Sequence, residues 1–395
     1  MASRLREPET LELLDGPVAT MATLDVKDML LIPGDPTLPY KPNNPLSRGN
    51  RHAGQLKLGI WMMYFMAKAT TEMARRYGPD WREGRPRPVV ISAGAASGQT
   101  MTMVYEAFPE FNYHLWDTSP FWKQISLLAE KMKNDDEPEI VIHKKYIYPA
   151  DMEAYNAQFP GRDMFFISDI RTTAASGEPA RSNIVADNEL QYQLVKALNP
   201  RLSMLKFRLA YPDMSLGQRD EYFYLPGTVW KQPYAPPGST ETRLIVRQEV
   251  KVIDGVKTEV TPDKTHLYSE TRHEQQMSYH NNIVRPKQYI NPVSGRDTRL
   301  TELIPNSWDG VMTLHIFIEC ARALSRGEDV DFVSQGLSML SKFVDDLTAT
   351  GYATRFKLVD TPMVMIRIRD NAYYSESTRV MTLGRERAPL PQLLD

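Results

Sequence analysis

The sequence predicts an α/β fold: a doubly wound, mostly parallel sheet with helices on both faces. Three observations predict it. Apolar runs of strand length alternate with helix-period segments from residue 89 to residue 208, the pattern of successive βαβ units. Val89-Val90-Ile91 is a β-branched run of the kind that suits a strand buried on both faces. That run then breaks into Ser92-Ala93-Gly94-Ala95-Ala96-Ser97-Gly98-Gln99-Thr100, a small-residue loop opening a helix. Strand, small-residue loop and helix N-terminus together make a site for a nucleotide-type ligand. Small residues there are expected to let the ligand approach the backbone.

Each element has its own signal. Met29-Leu30-Leu31-Ile32 reads as an edge strand stopped by Pro33. Residues 34–45 are rich in proline and extended, because each proline restricts its predecessor too. Tyr40 stands in that loop, either exposed or packed on the domain surface. Gly54 to Tyr77 reads as a helix, with Leu56, Ile60, Met63 and Ala67 on one stripe. Lys57 lies one residue off that stripe. Val89–Ala93, Tyr113–Asp117, Ile140–His143, Met164–Asp169 and Ser203–Arg208 read as strands. Gln99–Phe108, Phe121–Lys131, Asp151–Gln158 and Ile184–Leu198 read as the helices between them. Glu221–Leu225 and Thr242–Val246 follow as strands, and Asp254-Gly255 predicts a hairpin over 249–260. Tyr268–Ile283, Gly310–Leu324 and Phe332–Leu347 read as helices, Tyr352–Leu358 and Met363–Ile368 as late strands. This divides the chain into an extension with the proline-rich loop (1–50), a main domain (51–347) and a C-terminal extension (348–395).

Composition narrows the function. The 395 residues are 42% hydrophobic, enough for a large core, and the net charge is -2. Any nucleic-acid contact must therefore come from a local basic patch. A single cysteine, Cys320, forbids an internal disulfide framework or a cysteine-based zinc site. No apolar leader and no 18-residue apolar run occurs, so a soluble, non-secreted protein that avoids membranes is expected.

Five charged residues fall where chemistry is expected. Asp117 ends a strand 23 positions after Gly94, the spacing at which an acid holds a ribose diol. The loop is not Gly-x-Gly-x-x-Gly, and no histidine constellation for hydride transfer accompanies it, which argues against a nicotinamide dehydrogenase. Asp169 ends the fourth strand. Lys206 interrupts the apolar strand Met204-Leu205-Lys206-Phe207, where a lysine is costly to bury unless it snorkels from an edge. Glu241 precedes Thr242-Arg243-Leu244-Ile245-Val246. With Lys57, the order is Lys-Asp-Lys-Glu.

The motifs that carry these residues resemble a known family. They are Gly54-Gln55-Leu56-Lys57-Leu58, Ile167-Ser168-Asp169-Ile170-Arg171, Leu205-Lys206-Phe207-Arg208 with Tyr211-Pro212-Asp213, Gln232-Pro233-Tyr234-Ala235-Pro236 leading to Glu241-Thr242-Arg243-Leu244, and Glu274-Gln275-Gln276-Met277 through Arg285. In order and spacing they resemble the poxvirus cap-specific mRNA (nucleoside-2′-O-)-methyltransferases, which double as the processivity subunit of poly(A) polymerase. The resemblance runs from about residue 40 to about residue 344 and is distributed over most of the chain. Three departures stand out: Gly94-Ala95-Ala96-Ser97-Gly98 replaces Gly-Ser-Ala-Pro-Gly, Ser119 replaces an arginine, and the chain runs on to Asp395 without a basic tail. A related large DNA virus, rather than a poxvirus, is therefore the expected source.

The resemblance implies a Rossmann-like S-adenosylmethionine-dependent methyltransferase fold with added C-terminal helices. It implies methylation of the first transcribed nucleotide of m7G-capped mRNA, with S-adenosylhomocysteine as product and no metal. It assigns Lys57, Asp169, Lys206 and Glu241 to catalysis, Lys206 as general base. A free lysine is protonated at neutral pH, and burial or a second cation makes it easier to deprotonate. Lys57 supplies that cation, while Asp169 and Glu241 hold the lysine. Gln55, Gly94, Ala96, Gly98, Thr100, Asp117, Ile147, Asp169 and Arg171 match cofactor positions. Tyr40 and Tyr211 match the rings that stack on the cationic guanine, and Asp213 and Glu274 the acceptors for its N–H edge. Arg208 and Arg243 are expected to bind phosphates. The implied partners are capped mRNA and the poly(A) polymerase catalytic subunit, with no DNA and no membrane. The implied place is the cytoplasmic viral factory of the host cell, or the virion. A processivity factor with little catalysis is the alternative.

Overall fold

A computed structural model describes residues 29–39, 54–133, 137–172, 180–210, 219–235, 238–284, 308–325 and 330–349. Its central sheet has seven strands in the order β3-β2-β1-β4-β5-β8-β7. The first five are β1 (Val89–Ala93), β2 (Asn112–Trp116), β3 (Ile140–His143), β4 (Met164–Ser168) and β5 (Leu202–Phe207). All pairings among these five are parallel. Beyond β6 (Tyr222–Tyr224), β7 (Thr228–Lys231) and β8 (Thr242–Arg247) close the sheet as antiparallel strands. The fold is therefore mixed α/β with a mostly parallel sheet.

The connecting helices are α1 (Gly54–Tyr77), α2 (Met101–Ala107), α3 (Lys123–Met132), α4 (Pro149–Gln158) and α5 (Arg181–Leu198). After the hairpin β9 (Glu249–Ile253) and β10 (Val256–Val260) come β11 (His266–Tyr268), α6 (Glu270–Tyr279), a π-helical turn His280–Val284, α7 (Trp308–Leu324) and α8 (Phe332–Ala349). Two cores lie on opposite faces of the sheet. Val90, Phe165 and Met204 point to the side of α1, α7 and α8. Ile91, Phe166 and Leu205 point to the side of α4 and α5. This alternation is why these strands are largely apolar.

Local chemistry accounts for most boundaries. Gly98 adopts φ +77°, and the chain turns through Gln99 and Thr100 before α2 begins, two residues later than periodicity suggests. Asn199 ends α5 in the left-handed conformation (φ 52°), where asparagine is tolerated. Asp254 and Gly255 both have positive φ, as the two-residue hairpin requires. Gly59 lets α1 approach its neighbours, since a Cβ there would stand 2.7 Å from both Phe343 and Thr100.

Two strands escape periodicity. Thr228-Val229-Trp230-Lys231 is short, follows Pro226-Gly227 and lies just before Pro233. His266–Tyr268 pairs with Tyr222–Tyr224 in a separate two-stranded sheet, so the helix expected from Tyr268 starts at Glu270. Ser269 caps it by accepting the N–H of Arg272. The edge strand expected at Met29–Ile32 reduces to one bridge, Leu30 to Trp230, and a bond from Leu31 N–H to Val229 O. The late strands expected at 352–358 and 363–368 lie outside the described residues. Among the described residues, no helix is long and apolar enough to cross a membrane.

Candidate active site

Strand order lays out the site. The connections leave β1 toward β2 and β3 on one side, and β4 and β5 on the other. The crevice at such a reversal, beyond the carboxyl ends of the strands, is where ligands bind in open α/β sheets. A cleft of about 870 Å³ occupies that place. Crossing the sheet from its β3 side, the cleft wall carries Tyr146 and Ile147, then Asp117, Gly94 and Ala96, then Asp169 and Arg171, then Lys206. Glu241 lines it from the start of β8, and Lys57 from the first turn of α1.

Asp117 is fixed as it leaves β2. Its carboxylate accepts the Ala96 N–H at 3.0 Å and the Ser119 N–H at 2.8 Å. Each carboxylate oxygen keeps a further lone pair for a ligand hydroxyl. Asp117→Ala is expected to weaken S-adenosylmethionine binding by about 1–3 kcal/mol, the range for losing a charged hydrogen-bond acceptor. Isothermal titration measures it, and unchanged affinity would reduce Asp117 to a loop anchor.

Gly94 has φ +74°, and a Cβ there would stand 2.8 Å from the backbone of Asp169. Its smallness is thus required by the β1–β4 crossing itself. Gly98 and Thr100, expected at the ligand, are placed apart from the cleft wall. Neither lines the cleft. A Cβ on Gly98 would meet Phe121, and Thr100 is buried against Gly59 of α1. The side chain of Gln55 is outside the described residues.

At the other end of the cleft, five charged groups form one cluster. Lys206 Nζ lies 3.2 Å from Asp169 and 3.6 Å from Glu241, and Lys57 Nζ lies 4.0 Å from Glu241. The fifth member is Arg243. It faces Lys206 across the β5–β8 ladder, is 1% exposed, and donates to Asp169 at 2.6 Å. Its Nε donates to Gln232 Oε1 at 2.8 Å, and Gln232 Nε2 donates to Glu241 at 2.9 Å. Arg243 is expected from sequence at a phosphate; in the structure burial and these partners hold its guanidinium inside the protein. The sequence does not reveal the place of Arg243 or Gln232 in this cluster, because register decides which side chain stands beside Lys206.

Three cations and two carboxylates leave one surplus positive charge in the cluster. Burial pushes the Lys57 pKa down, helped by Lys206 and Arg243 and opposed by Glu241 and Asp169. Burial pushes both carboxylates up, but Lys206 with Arg243 brings Asp169 below its ordinary value, and Lys206, Lys57 and Arg243 bring Glu241 well below. A guanidinium cannot release its proton, so the surplus proton can leave only from a lysine. Beside the cluster, Arg171 lines the cleft, pairs with buried Asp187 at 3.5 Å and has its pKa lowered by burial.

Arg208 also lines the cleft, and its charge acts on Glu274 of α6. Burial raises the Glu274 pKa to about 7, with Arg208 opposing and Asp220 adding to the rise. Tyr40, Tyr211 and Asp213 lie outside the described residues. The chain before Tyr40 rests on α6, where Leu38 N–H donates to Gln275 O at 3.0 Å. Among the described residues, no group of three or more His, Cys, Asp or Glu side chains could hold a metal ion.

Comparison with known proteins bears on this arrangement. A relative in Myxoma virus (strain Lausanne), named cap-specific mRNA (nucleoside-2'-O-)-methyltransferase, is 25% identical over 263 residues, 65% of this chain and 69% of that one. Its namesake in Fowlpox virus (strain NVSL) is 28% identical over 235 residues, 59% of this chain and 68% of that one. The family model described as poly A polymerase regulatory subunit matches residues 32–318. That span contains the whole cleft, both halves of the charged cluster and α6, and the chain belongs to the poly A polymerase regulatory subunit family.

Proposed function

We propose that this chain is an S-adenosylmethionine-dependent methyltransferase. It modifies the ribose 2′-oxygen of the first transcribed nucleotide of m7G-capped mRNA. The observation that carries this reading is the geometry of one cleft. It holds a ribose-type carboxylate, Asp117, at one end and Lys206 between Asp169 and Glu241 at the other. The names of the poxvirus relatives support the same reaction. Regulation of a poly(A) polymerase catalytic subunit is proposed from the family description, and a place in the cytoplasm of the host cell from the viral relatives.

The residues present fit the cofactor. Asp117 would bind the ribose diol, with Ala96, Gly94 and Ile147 as walls, and Asp169 and Arg171 would stand near the reacting end. S-adenosylmethionine, when bound, supplies an electrophilic methyl on a cationic sulfur. Everything else falls to the chain. Lys206, neutral, accepts the proton of the 2′-hydroxyl as the oxygen attacks. Lys57 and Arg243 add two further cations around the same two carboxylates, and a second cation nearby makes a lysine easier to deprotonate. Asp169 and Glu241 keep the Lys206 amine aimed, and hydrogen bonding from the hydroxyl to Glu241 orients it. Such base assistance contributes roughly 10²–10⁴-fold, and orientation can contribute more.

Capped RNA and labelled methyl donor, followed by nuclease mapping, test the reading. Label on the first transcribed ribose is expected. RNA binding without any methyl incorporation would leave a processivity factor as the function.

Glu274 gives a pH test. As an acceptor for the guanine N–H groups it must be ionised, and its pKa is raised to about 7. Affinity for an m7G dinucleotide should therefore rise between about pH 6 and about pH 8, and Glu274→Gln should flatten the curve. The sign for stability is opposite. A carboxyl whose folded pKa is raised weakens the fold as pH climbs from the unfolded value through about 7. An unmutated protein with flat affinity over that range would remove Glu274 from the cap site.

A further inference from the structure

Helix α6 touches three parts of the candidate site at once. On one side it holds the segment before Tyr40, with Gln276 Nε2 donating to Ile32 O at 2.8 Å and to Asp35 O at 3.2 Å. It also carries Glu274, on which the charge of the cleft residue Arg208 acts. On its third side it reaches the loop between β7 and β8, which delivers Glu241. There His273 Nε2 stands 3.0 Å from Thr240 O. Two residues beyond the end of α6, Asn281 Nδ2 donates to Ser239 O at 2.7 Å. The Glu241 N–H in turn donates to Ser239 Oγ at 3.2 Å.

His273 and Asn281 are both buried, and neither lines the cleft. A carbonyl only accepts, so the His273 nitrogen facing Thr240 carries the proton. Burial pushes the ring's pKa down to about 4, against the pull of the Thr240 bond and with help from Arg208. The ring therefore stays a neutral donor. Asn281 belongs to the π-helical turn, a local geometry frequent at functional sites.

We propose that His273 and Asn281 are positioning residues that fix Glu241 from the helix that also presents Glu274. The proposal rests on the methyltransferase reading and deepens it. Its physical basis is the length of the contacts from Glu241 to the two lysines, 3.6 Å to Lys206 and 4.0 Å to Lys57, which are looser than the 2.9 Å bond it accepts from Gln232. At those lengths a small displacement of residues 239–241 opens the cluster, and a misplacement of about 1 Å can cost about 10²-fold in rate. Binding at the Glu274 face and catalysis at Glu241 thereby share one rigid element.

Steady-state methylation of m7G-capped RNA tests this with three variants. His273→Phe keeps the ring that packs edge-on against Phe207 and removes the donor. Its kcat is expected to fall about 10- to 100-fold, with KM for RNA and cofactor affinity within about twofold. His273→Gln restores a donor and should recover most of the loss. Asn281→Leu should lower kcat in the same selective way and serves if His273→Phe does not fold. A kcat within about twofold of the unmutated value in folded His273→Phe, or in Asn281→Leu, overturns the positioning role. Lack of rescue by His273→Gln does so too. Failure of the unmutated protein to methylate capped RNA overturns the methyltransferase reading instead, and is told apart because it appears before any variant is made.

Discussion

Lys206→Ala is expected to lose at least about 10³-fold in kcat while S-adenosylmethionine binding stays within several-fold. The lysine ends in a cluster whose other cations are Lys57 and Arg243. Removing it deletes the group proposed to accept the hydroxyl proton and leaves Asp117 and its end of the cleft untouched. Asp117 and Ile147 are on the far side of Gly94 in the strand order. Lys206→Arg keeps the charge and a hydrogen-bond donor, yet should fail as completely, because a guanidinium holds its proton at any accessible pH. Single-turnover methylation with saturating capped RNA measures the loss, and calorimetry measures the retained binding. Turnover in Lys206→Arg near the unmutated level would assign the lysine to charge alone and move the base elsewhere.

Arg243→Met should have the largest effect on stability, a loss of about 3–5 kcal/mol, the range for stripping one partner from a buried ion pair. Methionine nearly fills the space, so the change is chiefly electrostatic. Asp169 loses its 2.6 Å donor, Glu241 a cation at 3.6 Å and Gln232 the donor to its carbonyl. Thermal and denaturant unfolding, at neutral pH and at acid pH, report it. Asp169 and Glu241 have lowered pKa values. Their contribution is present above the unfolded carboxylate values and disappears as pH falls through the folded ones. The variant and the unmutated protein should therefore converge in acid. Folded variant also gives a kinetic readout. With Arg243 gone, two lysines face two carboxylates, and no surplus positive charge favours release of a lysine proton. The pH–rate profile should move to higher pH. A melting temperature unchanged by the substitution would show that the two carboxylates are satisfied without Arg243.

The residues themselves determined the parallel core of this protein. Val89–Ala93, Met164–Ser168 and Leu202–Phe207 are largely apolar, Ser92, Ser168, Ser203 and Lys206 excepted, because both faces of a central strand are covered. Asp254-Gly255 closes a hairpin because that pair tolerates positive φ. The acids at 117 and 169 and the lysine at 206 were legible because a charged group inside or ending an apolar strand has few other uses. What tertiary structure alone decided is which groups share a pocket. Antiparallel register set Arg243 opposite Lys206, a relation across 37 residues that no local pattern encodes. The packing of α2 against α1 drew Thr100 away from the cleft, although the loop before it reads as a ligand cradle. The short strand Thr228–Lys231 exists because β8 and the bridge at Leu30 supply its partners. His273 gained its place in the same way: a histidine on a polar helix carries no signal until the fold sets Thr240 against it.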